Sequence, residues 1–288
     1  MHKVIVIVGP TAVGKTAFAI KVAEDTKGEI ISADSMQAYR GMDIVSQKPT
    51  ASEVRRVKHH LISFLKPEAE YSAAAFAGMA RRRIIDIIKR GKTPIVVGGS
   101  GLYVKALVDG IFPSKGKDEK IRKRLRALAE KNGSAFLHER LKKIDPASAA
   151  RIHPNDTKRI IRALEIYELE KKTKTSLKKE TKGIRDEYDT KVFGLIMDRS
   201  RLYRKIEKRV DLMFKKGLVR EVGKLLRKNL SITARQALGI KEVEGYLNKA
   251  YSLQEAKDML KSNTRRFAKR QLTWFRADKK ILWINAKS

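Results

Sequence analysis

The chain has 288 residues, 42% of them hydrophobic, and a formal net charge of +33. It lacks cysteine, which excludes disulfides and thiolate metal sites, and no apolar run approaches the length of about 18 residues that a membrane span needs. Most of the excess charge lies between residues 191 and 288, where 26 basic residues stand against nine acidic ones. Such a segment favours a polyanionic partner, although a solvated lysine-rich surface would have the same composition.

The first predicted element is a strand over residues 4–8, a short apolar run that ends at Gly9 and is typical of a strand buried on both faces. This run is too short for a signal peptide and lacks a cleavage site, so we expect a cytoplasmic protein. A helix over residues 16–24, a strand over 29–33, a helix over 73–90 and a strand over 94–97 follow. This alternation predicts an α/β fold with a three-layer core and a parallel sheet.

The pattern changes after Pro113. Residues 114–117 are typical of a linker, and residues 118–172 show only helical periodicity, with Asn155 or Asp156 able to cap one helix. Residues 171–182 are charged and lack apolar periodicity, so we expect an exposed, mobile connection there.

The α/β pattern then returns with a predicted strand over residues 192–196 and a helix over 201–216 that Gly217 stops. Ser252 and Glu255 have capping-box spacing at the start of a helix that reaches about residue 275, and residues 281–284 form a predicted final strand. The simplest organisation is a core of residues 1–114 and 191–288, interrupted by a helical insertion over 115–190.

The strongest motif is GPTAVGKT at residues 9–16, which fits the phosphate-loop pattern G-x-x-x-x-G-K-[ST] between a predicted strand and helix. Backbone amides and a helix N-terminus in such a loop surround phosphate, while the lysine adds charge and Thr16 a hydroxyl for Mg²⁺. Most proteins with this loop bind ATP or GTP, so an NTPase or small-molecule kinase is the first hypothesis. The residues predicted to bind phosphate are Gly9, Pro10, Thr11, Ala12, Val13, Gly14, Lys15 and Thr16.

The segment DSMQ at residues 34–37 follows the second predicted strand, at the edge where α/β sheets place their sites. The Asp34 carboxylate could take a proton from an acceptor and the Gln37 amide could orient it. An Asx-type turn at Asp34 and Ser35 explains the same residues equally well.

Further motifs follow in order along the chain, and together they resemble the bacterial tRNA dimethylallyltransferases. Beyond GPTAVGKT and DSMQ, they include GGSGLY at 98–103, RIHPND at 151–156, RALE at 162–165, QALG at 236–239 and KRQLTWFR at 269–276. The resemblance covers nearly the whole chain, and it implies a P-loop NTPase-like core with an inserted helical domain that binds tRNA.

The resemblance also implies the reaction, which is transfer of a dimethylallyl group from dimethylallyl diphosphate to N6 of adenosine 37 in tRNAs that read codons beginning with U. The diphosphate would occupy the loop, held also by Mg²⁺ through Thr16 and by Arg199. Asp34 would be the base for the N6 proton. The expected catalytic residues are therefore Asp34, Thr16 and Arg199.

By the same resemblance, the anticodon stem-loop of tRNA is the macromolecular partner, and we expect a monomer that binds no membrane. The residues expected to contact tRNA are Asp34, Ser35, Met36, Gln37, Ser100, Lys158, Arg159, Ile160, Ile161, Arg162, Gln236, Gly239, Lys241, Lys269, Arg270, Gln271, Thr273 and Arg276. Trp274 and Phe275 are expected in the core, and His59 and His60 are interpreted as structural.

Two other functions fit part of the sequence. A kinase would use the phosphate loop with ATP, but it explains neither the basic C-terminal segment nor the GGSGLY and KRQLTWFR strings. A non-catalytic RNA-binding protein would explain the charge, but not why Asp34 lies where a base is needed.

Overall fold

The computed structural model describes residues 1–112 and 116–286. They form two compact units, one of Met1–Asp109 with Gly183–Ser288 and the other of Gly110–Lys182. The linker predicted at 114–117 lies partly outside the described residues. Within the described ranges, no helix is long and apolar enough to cross a membrane.

The first unit contains a six-stranded parallel sheet in the order β3-β2-β4-β1-β5-β6. Its strands are β1 (Lys3–Val8), β2 (Glu29–Ser32), β3 (His59–His60), β4 (Pro94–Gly98), β5 (Asp189–Ile196) and β6 (Leu282–Asn285). Helices cover the sheet, and the predicted α/β class is confirmed. β1 is central because residues 4–8 are apolar throughout and buried on both faces, as the sequence predicted.

Eight helices of the described part of the first unit surround or extend this sheet. They are α1 (Lys15–Asp25), α2 (Ala51–Arg56), α3 (Ala73–Lys89), α4 (Gly101–Val108), α10 (Arg199–Lys215), α11 (Leu218–Leu226), α12 (Ile240–Leu247) and α13 (Leu253–Arg276). The predicted capping box is present at α13, where the Ser252 hydroxyl accepts from the backbone N–H of Glu255 and the Glu255 carboxylate accepts from the backbone N–H of Ser252. Gly217 follows α10 with a φ of 94°, as its predicted stop position requires.

The second unit is helical, with α5 (Glu119–Asn132), α6 (Ser134–Ile144), α7 (Pro146–Ala149), α8 (Thr157–Glu170) and α9 (Lys174–Lys179). Leu125, Leu137 and Leu164 belong to its own hydrophobic core. Asp156 caps α8 by accepting from the backbone N–H of Arg159, which is one of the two caps that the sequence offered.

The expectation of an exposed connection over residues 171–182 was wrong in part, because the segment contains a short helix with a buried leucine. Thr173 caps α9, Leu177 is buried, and the buried Asp145 carboxylate accepts from the backbone N–H and the hydroxyl of Thr175. One apolar residue leaves no periodicity to detect, and the contacts that hold this helix come from residues about 30 positions away.

At the amino edge of the sheet, a buried carboxylate pairs with several bases. Glu29 begins β2 and is 1% exposed. Its oxygens accept from Arg90 through both guanidinium nitrogens, from Lys92 Nζ at 2.9 Å and from His60 Nε2 at 2.7 Å. The hydrogen bonds from Arg90 are the main reason that the pKa of Glu29 lies well below its usual range. His60 is thus structural, as the sequence suggested.

The polypeptide leaves and re-enters the first unit at neighbouring points. A Cβ atom on Gly183 would lie 2.0 Å from the carbonyl oxygen of Val108, so the backbone at the end of α4 and the backbone at residue 183 are in direct contact. Only glycine fits there, because any side chain would overlap this carbonyl group.

Candidate active site

The phosphate loop at residues 9–16 connects β1 to α1, as its motif predicted. Gly9 has a φ of 146°, and a Cβ atom there would lie 2.7 Å from the carbonyl oxygen of Leu195 on β5. Glycine at this position therefore lets the loop pass directly over the neighbouring strand. The loop ends at the N-terminus of α1, where a bound anion gains from the helix dipole.

Lys15 points back into this loop. Its ammonium donates to the carbonyl oxygens of Gly9 at 2.9 Å and Pro10 at 2.7 Å. Burial lowers the pKa of Lys15 from 10.5 to about 7; nearby Asp34 raises it and nearby Arg209 lowers it. Both acceptors are neutral, so the ammonium has hydrogen bonds in the loop but no counter-charge in contact.

Arg209, on α10, is a second cation at the loop. Its Nη1 donates to the Thr11 hydroxyl at 3.1 Å and its Nε to Gln47 Oε1 at 2.9 Å. Burial lowers the pKa of Arg209, and Asp34 opposes that shift. Its acceptors, like those of Lys15, are uncharged.

Arg199 was expected by resemblance to hold the diphosphate, but it has different contacts. It is exposed at the start of α10, with its guanidinium 5.2 Å from the centre of the Tyr203 ring and its Nε donating to the Tyr203 hydroxyl at 3.2 Å. Arg209, ten residues later, is the arginine that contacts the phosphate loop. The string RVD at residues 209–211 also matches the family, but the sequence alone assigned Arg209 no role.

The segment at residues 34–37 follows β2 at the same edge of the sheet. Asp34 Oδ1 accepts from the backbone N–H of Met36 at 2.9 Å, so the Asx-type turn is present. Within the described chain, this is the hydrogen bond that the Asp34 carboxylate makes, and it uses one oxygen. The turn and a role as base are therefore compatible.

The sheet order explains which residues meet Asp34. β4 lies between β1 and β2, so the residue after β4 lies between the phosphate loop and residues 34–37. Ser100 occupies that place: its Oγ accepts from the backbone N–H of Ser35 at 3.1 Å and lies 3.3 Å from Ser35 Oγ. Gln37 is held from two sides, by the Ser32 hydroxyl at 2.8 Å and through its own donation to the Gln47 carbonyl oxygen at 3.2 Å.

Gln271, on α13, joins the loops that follow β1 and β4. Its Oε1 accepts from the backbone N–H of Thr11 at 2.8 Å, and its Nε2 donates to the Gly99 carbonyl oxygen at 3.0 Å. Gln271 is buried and its amide is used on both sides, so it holds the two loops together. The expected contact of Gln271 with tRNA stays a prediction.

The other residues expected to contact tRNA divide by exposure. Ile160, Ile161 and Gly239 are buried. Arg162 is half-buried and donates to the buried carboxylate of Glu165 at 2.6 Å. The exposed members are Lys158, Arg159, Gln236, Lys241, Lys269, Arg270, Thr273 and Arg276.

The expected placement of Trp274 and Phe275 is half right. Phe275 is 3% exposed, whereas Trp274 is 42% exposed. The Trp274 ring lies against Gly101, the first residue of α4, where a Cβ atom would come within 2.4 Å of it. It is therefore a surface residue at the carboxyl edge and not a core residue.

The donor set near the loop suits Mg²⁺ only in combination with a bound diphosphate. Thr16 lies in the first turn of α1 beside Lys15, and the described residues contain no group of three or more His, Cys, Asp or Glu side chains that could hold a metal ion. Mg²⁺ commonly takes one or two protein oxygens and completes its octahedron with phosphate oxygens and water. A single Thr16 hydroxyl fits that pattern.

These observations describe a cationic phosphate loop beside one carboxylate, and the comparison with known proteins decides the family. The profile described as IPP transferase matches residues 37–278. The chain belongs to this family. The match includes Asp43 to Gln47, Ser100, Arg209 and Gln271, all of which lie at or near the carboxyl edge of the sheet.

Named members of the family are similar over nearly the full length. The tRNA dimethylallyltransferase of Halothermothrix orenii is 48% identical over 284 residues, which are 98% of this chain and 87% of that protein. That of Carboxydothermus hydrogenoformans is 49% identical over 287 residues, covering 99% of this chain and 92% of that protein.

Solved structures give the same family. A tRNA isopentenylpyrophosphate transferase from Bacillus halodurans has a TM-score of 0.73 and 43% identity, with 99% of this chain and 90% of that chain covered. A eukaryotic dimethylallyltransferase acting on tRNA has a TM-score of 0.83 and 29% identity, with coverage of 100% and 75%. Membership of the family leaves the kinase hypothesis without support.

Proposed function

We propose that this protein transfers a dimethylallyl group from dimethylallyl diphosphate to N6 of adenosine 37 in tRNAs that read codons beginning with U, releasing pyrophosphate. The observation that carries the proposal is the pair of partly buried cations, Lys15 and Arg209, at a phosphate loop beside Asp34. Family membership supplies the substrate class.

Lys15 and Arg209 lie where negative charge develops when the allylic C–O bond breaks. As the allylic C–O bond cleaves, its electron pair moves to the diphosphate, and negative charge grows on the leaving group. Lys15, Arg209 and the loop amides stabilise this charge in a site that is already organised for it. Mg²⁺, held by Thr16 and the diphosphate, would neutralise more of the same charge.

The Asp34 carboxylate can remove the proton that is released when the new C–N bond forms. The N6 lone pair of adenine attacks the allylic carbon, and the new C–N bond leaves one N6 proton to be removed. Asp34 accepts that proton, while Gln37 and Ser100 lie beside the expected position of the adenine ring. Adenine has to leave the anticodon-loop stack first, at a cost of a few kcal/mol that contacts with the enzyme must offset.

The RNA contacts belong to the exposed basic residues. On the first unit these are on α12 and α13, with Lys241, Lys269, Arg270 and Arg276 exposed; on the second unit they are Lys158 and Arg159 on α8. Basic residues at the surface bind phosphates of the RNA backbone and release counterions. We propose further that the protein acts as a monomer in the cytoplasm, which light scattering with and without tRNA would check for the assembly state.

The decisive experiment is a transfer assay on unmodified tRNA with dimethylallyl diphosphate and Mg²⁺, followed by digestion and mass measurement of the nucleosides. The expected product is adenosine that carries one dimethylallyl group at position 37. A parallel reaction with ATP in place of the allylic diphosphate should leave the tRNA unchanged. Folded protein that binds tRNA and diphosphate yet modifies no nucleoside would refute the proposal.

A further inference from the structure

Glu221, on α11, binds a loop that leads into the active site. Its Oε2 accepts from the backbone N–H groups of Asp43 at 3.0 Å and Ile44 at 2.9 Å. Its Oε1 accepts from those of Ile44 at 3.0 Å and Val45 at 2.8 Å. Three successive amides therefore point at one carboxylate, an arrangement that favours an anion strongly.

The same loop ends at Gln47, whose backbone is in the left-handed region with a φ of 52°. For a residue other than glycine, this conformation persists only where its surroundings impose it. Around Gln47 the surroundings include its own loop, since its side-chain Nε2 donates to the Ile44 carbonyl oxygen at 2.7 Å. Ile44 is the residue whose amide contacts both oxygens of Glu221.

Gln47 is the point where the loop meets the diphosphate site. Its Oε1 accepts from Arg209 Nε at 2.9 Å, and Arg209 reaches the Thr11 hydroxyl of the phosphate loop. Its backbone carbonyl accepts from Gln37 Nε2 at 3.2 Å. A displacement of Gln47 would therefore shift both Arg209, which lies on the leaving-group side, and the Gln37 side chain, which lies on the adenine side.

We propose that Glu221 is a positioning residue for the transfer reaction: it fixes the backbone at residues 43–45, and through Gln47 it sets Arg209 at the phosphate loop. This inference rests on the proposed function for its substrates. Its mechanical part, the alignment of Arg209 for a diphosphate, follows from the contacts alone.

Glu221 could instead serve only to stabilise helix α11, and that role predicts a different experimental result. Glu221 lies in the first turn of α11, where an acid also stabilises the helix through its dipole. In that case its loss would lower the melting temperature and leave the folded protein's affinity for diphosphate unchanged. The two roles therefore separate in a binding measurement on folded protein.

The experiment compares Glu221→Ala and Glu221→Gln with wild type and with Glu255→Ala. Glu255 is a matched control, because it is also a first-turn glutamate that accepts a backbone N–H, at α13 and outside the site. Calorimetry gives the affinity of each protein for inorganic pyrophosphate with Mg²⁺, and the transfer assay gives kcat and KM for dimethylallyl diphosphate and for tRNA.

For Glu221→Ala we expect pyrophosphate affinity to fall about 10-fold and kcat/KM for dimethylallyl diphosphate to fall at least as much, with KM for tRNA nearly unchanged. Glu221→Gln keeps the size and one acceptor oxygen, so its loss should be smaller. Glu255→Ala should match wild type in both measurements.

Acetate should restore the pyrophosphate affinity of Glu221→Ala, because loss of the glutamate side chain leaves the three backbone amides able to bind another carboxylate. Sodium acetate at about 50 mM should recover most of the lost affinity, while wild type and a sodium chloride control show no gain. Pyrophosphate affinity that is unchanged in both Glu221 variants would overturn the inference. A wild-type protein that fails to modify tRNA would refute the proposed function instead, and the pyrophosphate comparison would still decide the role of Glu221.

Discussion

The two edges of the parallel sheet place charged side chains in opposite surroundings. At the amino edge, the buried Glu29 pairs with Arg90, Lys92 and His60, so its charge is compensated within the protein. At the carboxyl edge, the partly buried Lys15 and Arg209 donate, within the described ranges, to carbonyl, hydroxyl and amide oxygens that are all neutral.

The difference separates a structural charge cluster from a binding site. Glu29, Lys15 and Arg209 all have hydrogen-bond partners, so counting those bonds does not distinguish the two edges. What distinguishes them is that no carboxylate of the described residues contacts Lys15 or Arg209; Asp34 acts on them only at longer range, and an anionic ligand would supply the contact. The following predictions test this contrast, from the largest expected effect to the smallest.

Lys15→Met should lower kcat/KM for dimethylallyl diphosphate by about 1000-fold or more, because it removes a charge that the leaving group needs. Its melting temperature should stay the same or rise, since an uncompensated buried charge is gone. Lys92→Met, at the amino edge, is the matched control and should keep wild-type kcat/KM. The transfer assay and thermal unfolding measure both quantities, and equal losses for the two variants would break the contrast.

Asp34→Asn should lower kcat by about 100-fold or more while tRNA affinity changes little, because the amide keeps the shape but cannot accept the N6 proton. Single-turnover transfer and filter binding of tRNA measure the two quantities separately. Near-wild-type turnover would exclude Asp34 as the base.

Glu29→Gln should cost about 3 kcal/mol of stability, since a buried amide replaces the carboxylate that pairs with Arg90, Lys92 and His60. The exposed pair of Glu24 with Arg56 is the control, and Glu24→Gln should cost less than about 0.5 kcal/mol. Urea unfolding measures both variants. The specific activity of folded Glu29→Gln should equal that of wild type, and reduced activity per folded molecule would contradict a purely structural role.

The lowered pKa of Glu29 also determines how its contribution to the stability of the protein changes with pH. Because its folded pKa lies below its unfolded pKa, its stabilisation is complete above the unfolded value and is lost as the pH falls toward the folded one. The stability difference between wild type and Glu29→Gln should therefore shrink below about pH 4.5. A difference that does not depend on pH in this range would exclude the charge as its cause.

The contribution of Lys15 to stability changes with pH in the same direction as that of Glu29, but in a higher pH range. Its folded pKa of about 7 lies below the ordinary 10.5, so the unfolded chain binds more protons between these values and stability rises with pH there. A bound diphosphate favours the ammonium form, and binding at about pH 8.5 should therefore take up close to one proton. Calorimetry in buffers of different ionisation enthalpy measures this uptake, which should disappear in Lys15→Met.

The smallest effect is expected for the exposed cations Lys158 and Arg159, of which Arg159 also pairs with Asp156 at 3.4 Å. Lys158→Ala with Arg159→Ala should weaken tRNA binding by about 5- to 10-fold and reduce the slope of log affinity against log salt by about two. Arg162→Ala should instead destabilise the second unit, because Arg162 pairs with buried Glu165. A salt slope that is unchanged in the double variant would place both residues outside the RNA contact.

Local patterns were enough to predict much of the fold. The apolar run at residues 4–8, the phosphate-loop motif and the capping box at Ser252 each identify an element from adjacent residues, and the structure has all three. The short helix α9 was missed because one buried leucine makes no pattern. Trp274 was misplaced because its ring covers Gly101, a contact across 173 positions of the sequence.

The sequence predicted those parts of the site that directly follow a strand. The loop and Asp34 follow strands, so their shared edge follows from the α/β class. Arg209 and Gln47 meet the loop through tertiary packing. The string RVD at 209–211 marks Arg209 as a family residue without showing its position, and the left-handed backbone of Gln47 has no sequence signal. The roles of Thr16 and Mg²⁺ stay predictions.

The contact between Gly183 and Val108 has a consequence for how such a protein can be assembled in evolution. Since the two ends of the segment 110–182 are already joined in space, the surrounding sheet needs no rearrangement to accept it, and closing the gap without it would cost little chain entropy. A module inserted at such a junction can be gained, exchanged or lengthened while the fold that carries it stays intact. Gly183, which lets the two backbones touch, then becomes a residue that any such exchange must preserve.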